Sequence, residues 1–151
     1  MSAPACDRRK PKLTDAQIEE LRRNLPGMTD ECLTEIRYGG LAAGPENTED
    51  CFEMMPPQRW RGLWRDDFEG SRFCPEPAHE CSYSTPGDEI WLTFASGVKL
   101  SKRQRYGDLF KIEFVGRRTK ARGYHGHLGM SQHEIIVDRL ESLTQVADTQ
   151  N

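Results

Sequence analysis

Three of the four histidines in this chain fall within GYHGHLGMSQHE, residues 123–134. If YHGH is extended, His125 and His127 point to the same side, about 6.5–7 Å apart, because side chains alternate along a strand. Such a pair chelates zinc or copper when a third ligand converges on it. A hairpin turning at LGMSQ would return His133 or Glu134 to that position, so His125, His127 and His133 form the candidate metal set. Gly123, Gly126 and Gly129 oppose this reading. Spaced three apart, they mark bends, and a chelate needs a stiff backbone with outer hydrogen bonds to aim its ligands. The expectation is an exposed loop with no resident metal or other cofactor.

Five cysteines are many for 151 residues. Cys6 stands in a polar leader, and Cys32, Cys51, Cys74 and Cys81 lie in or between the segments that fold. Four cysteines in a small domain point to disulfides. The expected pairs are Cys32–Cys51 and Cys74–Cys81, which on the chain-entropy model stabilise by about 3 and about 2.5 kcal/mol. No C-x-x-C occurs, which disfavours a zinc finger or a thiol–disulfide exchange site. The opening MSAPACDRRKPK has no apolar run of the kind a signal peptide carries, yet SAPAC suits a mature N-terminus left after export. A periplasmic or secreted protein is expected, with the cytoplasm as the alternative and Cys6 as a candidate lipid anchor. No transmembrane run of apolar residues is present.

QRWRGLWRDDFEGSRF (58–73) mixes arginine and tryptophan, residues that anchor many interfaces. Asp66, Asp67 and Glu69 offer carboxylates for general acid and base chemistry on a sugar. The plainer reading is a core strand with Trp60, Gly62, Trp64 and Phe68 on the inner side. Residues 99–122 hold nine Lys and Arg against Asp108 and Glu113, a local charge of +7. The whole chain carries −3, so the rest carries −10. A turn after Gly116 would bring Arg117, Arg118, Lys120 and Arg122 out as an anion-binding face.

The elements that must position these residues are legible from period and punctuation. Residues 1–12 read as a disordered leader, 13–50 as a helical hairpin with a loop, 51–146 as a small β-barrel, and 147–151 as a tail. Thr14 with Gln17 forms a capping box ahead of an apolar stripe, and Pro26-Gly27 stops that helix. Thr29 caps the second helix, which Gly39-Gly40 ends. Strands are expected over 59–68, 89–97 and 107–118, with Phe110, Ile112 and Phe114 facing inward on the last. Residues 133–143 are ambiguous between strand and helix, and CPEPAHECSYSTPGD (74–88) is a loop. The fold class is α+β, a helical hairpin plus a small antiparallel barrel of four or five strands.

The C-terminal half resembles the last strands of OB-type barrels, since a strand ending VGRR leads through a glycine-rich crossing into a final Ile/Val strand. The resemblance implies a five-stranded barrel and carries no specific motif, so it implies no activity. The leading functional expectation is a non-enzymatic envelope-type module binding a protein partner or anionic ligand through the basic face. A small hydrolase or metal-dependent enzyme using the 125–134 histidines with Asp66 and Asp67 is the alternative, and a cytosolic nucleic-acid-binding barrel comes third.

Overall fold

Two threonines start two helices. In the computed structural model, which describes residues 9–100 and 107–146, the Gln17 amide donates to Thr14 Oγ1 at 3.2 Å. The Thr14 amide donates back to Gln17 Oε1 at 2.8 Å, which completes the capping box. Helix α1 spans Asp15–Asn24 and helix α2 spans Asp30–Gly39, the latter capped by Thr29 through the Cys32 amide. Cys32, Ile36 and Cys51 are buried together, with Leu13, Leu21, Met28 and Phe52 packed round them. The Cys32–Cys51 disulfide, Cα atoms 4.9 Å apart, crosses this small core. Of the leader, Lys12 is tied down, its amide donating to the Arg37 carbonyl at 2.8 Å. Cys6, Lys102, Arg103, Arg105 and the tail at 147–151 lie outside the described residues.

The helical unit ends at Glu53 and a second unit begins at Met54. Its strands are β1 (Gln58–Asp67), β2 (Gly70–Pro75), β3 (Ile90–Phe94), β4 (Asp108–Arg118) and β5 (His133–Gln145). They close into a barrel in the order β1-β2-β3-β5-β4. Alternation fills the interior: Trp64, Phe73, Leu92, Phe110, Ile112, Phe114, Ile135 and Val137 form one buried cluster. Edge-to-face contacts of Phe73 with Trp60 and Phe114, and of Trp64 with Phe94, pack its aromatic end. The polar atoms inside are matched, because Trp64 Nε1 donates to Ser71 Oγ and Ser71 Oγ donates to the Leu92 carbonyl.

The α+β class and the barrel stand as expected, three details differ, and the open choice between strand and helix over 133–143 falls to strand. The barrel is mixed, since β3 runs parallel to β5 while the other four pairings are antiparallel. Residues 119–132 carry the chain across so that β5 lies between β4 and β3, which leaves no free sheet edge. Residues 133–145 are strand throughout. Phe68 is outside the core: Asp67 pairs with Gly70, leaving Phe68 and Glu69 as a two-residue turn that starts β2. Finally, no turn follows Gly116. A bulge there lets β4 run on, Arg117 and Arg118 pairing with Ile136 and Ile135.

Candidate functional site

Three separate loops converge on one cleft of about 230 Å³ beside strands β2 and β3. The β1–β2 turn supplies Phe68 and Glu69, the loop between β2 and β3 supplies Tyr83 and Glu89, and the crossing from β4 to β5 supplies His127, Leu128 and Met130. Gly70, Ser71, Arg72 and Trp91, from β2 and β3, also line it. Phe68 is 64% exposed, Tyr83 65%, Leu128 81% and Met130 64%. Single exposed apolar residues are ordinary on a surface, but four round one concavity are the pattern of a contact site.

Local chemistry fixes each wall. The Cys74–Cys81 disulfide closes a loop of sequence separation 7. Arg65 then pins that loop from below, its Nε donating to the Cys81 carbonyl at 2.6 Å. Arg72, 8% exposed, donates from Nη1 to the Ser82 carbonyl and from Nη2 to the Thr85 carbonyl at 2.7 Å. Its Nη1 also lies 3.8 Å from Glu89 Oε1, and its buried Nε has no hydrogen-bond partner. The loop read as irregular from its prolines is thus held by a disulfide and two arginines, which fixes Tyr83 at the rim. Tyr83 leans on Gly70: a Cβ there would stand 2.5 Å from the tyrosine hydroxyl.

On the other side, Gly126 adopts φ 70° against the Trp91 ring, and an added Cβ would meet that ring at 2.7 Å. His127 Nε2 reaches Glu69 Oε2 at 3.3 Å, joining two of the loops. Glu69 (φ 53°) and Leu128 (φ 55°) are, among the described residues, the two non-glycine residues in left-handed backbone. That conformation costs about 1–3 kcal/mol in a side-chain-bearing residue, and it gathers at working sites. Both residues border the cleft.

The histidines divide. His125 and His133 are buried, and burial, followed for His125 by the charge of His133, holds their pKa values below the usual 6.5. For His133 the nearby Arg118 acts in the same direction after burial. His133 Nδ1 stands 3.1 Å from both Oγ1 and the carbonyl oxygen of Thr119. His127 instead faces the cleft. Among the described residues no three His, Cys, Asp or Glu side chains gather as a metal-binding group.

The basic residues are partly engaged. Arg117 forks onto Asp138 with two 2.8 Å bonds, and Arg122 meets Asp88 at 3.1 Å. Arg118 Nε donates to the Thr119 carbonyl at 3.3 Å, and Lys120 is exposed. Asp66 lies opposite Asp108 in the β1–β4 register, and burial, then Asp108 and Asp67, raise its pKa. It borders a neighbouring depression with Trp64, Thr93 and Leu100, which shares Ser71 and Trp91 with the cleft but not His127. Asp67 Oδ1 accepts from the Phe68 amide at 2.9 Å, shaping the turn.

Phe68, Tyr83, Trp91, Leu128 and Met130 were not legible as a site in the sequence. Trp91 carried one signal, an aromatic on the face opposite Ile90 and Leu92. Comparison with protein-family models, with curated proteins and with solved structures finds no match.

Proposed function

We propose that this chain is a non-enzymatic binding module of an oxidising compartment, periplasmic or extracellular, that holds a protein partner at the cleft. The carrying observation is that three loops bring Phe68, Tyr83, Leu128 and Met130, all largely exposed, to one concavity. Disulfides persist where thiols are not kept reduced, and the described residues hold two. Among the described residues no helix is long and apolar enough to cross a membrane.

We read the barrel as OB-like, and barrels of that type bind on the face of strands 2 and 3 and the loops after strands 1 and 4. The cleft is built from that face and those loops, an argument by analogy. The anionic-ligand reading is weaker, because Arg117 and Arg122 already neutralise Asp138 and Asp88. The hydrolase reading needs Asp66 beside the histidines, and Asp66 and His127 line two adjoining depressions that share Ser71 and Trp91, neither of them lined by both.

A set of N-acetyl amino-acid amides, titrated into labelled protein and followed by backbone amide shifts, tests the reading. Perturbations centred on Gly70, Ser71, Trp91 and Leu128 are expected. If no amide reaches these residues while heparin moves 117–122, the basic face is the site instead.

A further inference from the structure

We propose that the occupant of this cleft is a basic side chain of the partner, a lysine whose apolar stem lies among Phe68, Tyr83 and Trp91 and whose ammonium faces Glu69 and Glu89. This rests on the cleft being the binding site. Its volume of about 230 Å³ is smaller than the roughly 300–1,000 Å³ of sites for drug-sized ligands, so it suits one protruding side chain.

Charge selects the side chain. Glu69 and Glu89 line the cleft, and Asp67 lines the small depression beside it that shares Tyr83, Gly70 and Arg72. Among the described residues Arg72 is the one permanent cation lining the cleft; two of its nitrogens are directed at loop carbonyls and Nη1 lies 3.8 Å from Glu89, so two carboxylates face one guanidinium. His127 adds positive charge only when protonated. Tyr83 reports the resulting field: burial and then Asp67, Glu89 and Glu69 make its hydroxyl harder to ionise. A carboxylate occupant would be repelled by the same three acids. A leucine would fill the space but strip water from Glu69 and Glu89 without replacing it. A lysine satisfies both demands, since its methylenes bury along apolar surface while the head stays polar. Aromatic faces attract that head further, tryptophan most of all.

The test compares acetyl-Gly-Gly-Lys-Gly-Gly-amide with the same peptide carrying norleucine, which keeps the stem and lacks the ammonium. Backbone amide shifts give site and affinity together. The lysine peptide is expected to bind at the cleft at least about tenfold more tightly at low ionic strength. It should weaken as salt rises to 0.5 M while the norleucine peptide does not. Glu69→Gln should cut the preference at least threefold in protein whose melting temperature shows it folded. The salt series on the native chain keeps the inference testable if that variant fails to fold. Equal binding of both peptides at the cleft overturns the lysine assignment and leaves the cleft as the site. Failure of both peptides to reach the cleft overturns the assignment together with the reading beneath it.

Discussion

Arg117 of β4 grips Asp138 of β5 through two parallel hydrogen bonds, Nε to Oδ2 and Nη2 to Oδ1, each 2.8 Å. Both side chains are more than two-thirds buried. A two-bond fork is the strongest form of this contact, so one of the four residues expected to form an anion-binding face has an anion of its own. Arg117→Ala should cost about 1–2 kcal/mol, since it leaves the Asp138 carboxylate without that fork. Retention of the same protein on a heparin column should fall little. Chemical denaturation and a salt gradient measure the two quantities.

The Cys32–Cys51 bond spans 19 residues of a unit with a small core. Small cores depend on such staples, and loop-closure entropy puts this one at about 3 kcal/mol. All three tryptophans, Trp60, Trp64 and Trp91, follow Met54. The double variant Cys32→Ala, Cys51→Ala should therefore lose helical circular dichroism while tryptophan fluorescence keeps its native maximum. A red shift appearing together with the helix loss would count against separate stabilisation of the two units.

Burial favours the neutral rings of His125 and His133 in the folded chain. As pH falls past about 6.5, the unfolded chain takes up protons that the folded chain resists. The unfolded state then binds more protons, so stability declines from about pH 6.5 down through the lower native values. Melting temperatures at pH 7.5, 6.5 and 5.5 should fall in that order. The His125→Gln, His133→Gln protein should show a shallower slope, whatever its stability at pH 7.5.

Gly126→Ala adds one carbon, 2.7 Å from the Trp91 ring, at a residue with φ 70°. Strain and overpacking together should cost about 1–3 kcal/mol. Displacing Trp91 from the cleft should also change its fluorescence and weaken binding of the lysine peptide. Unaltered emission and affinity would mean that the indole does not depend on that turn.

Leu128 is exposed and left-handed, with φ 55°. Leu128→Gly removes the backbone penalty and loses little burial, so it should leave stability unchanged or raise it by up to about 1 kcal/mol. The same change deletes one wall of the cleft and should lower its affinity. Stability and binding moving in opposite directions is the mark of a residue kept for contact.

What the sequence determined by itself was mostly local. Thr14 with Gln17, Thr29, and the glycines that end the helices act within four residues, and the helices start and stop where those residues place them. The Phe110-Ile112-Phe114 alternation likewise set the inner face of β4. Both disulfide pairs were legible because each joins neighbouring cysteines across a short span. Tertiary structure alone decided the parallel pairing of β3 with β5, because it joins residues separated by more than forty positions and leaves no trace in either strand's period. It alone turned Phe68 outward, since a two-residue turn reverses the chain where alternation would have continued it. The cleft is tertiary for the same reason. Phe68, Tyr83 and Leu128 stand on three loops whose meeting depends on how the barrel closes.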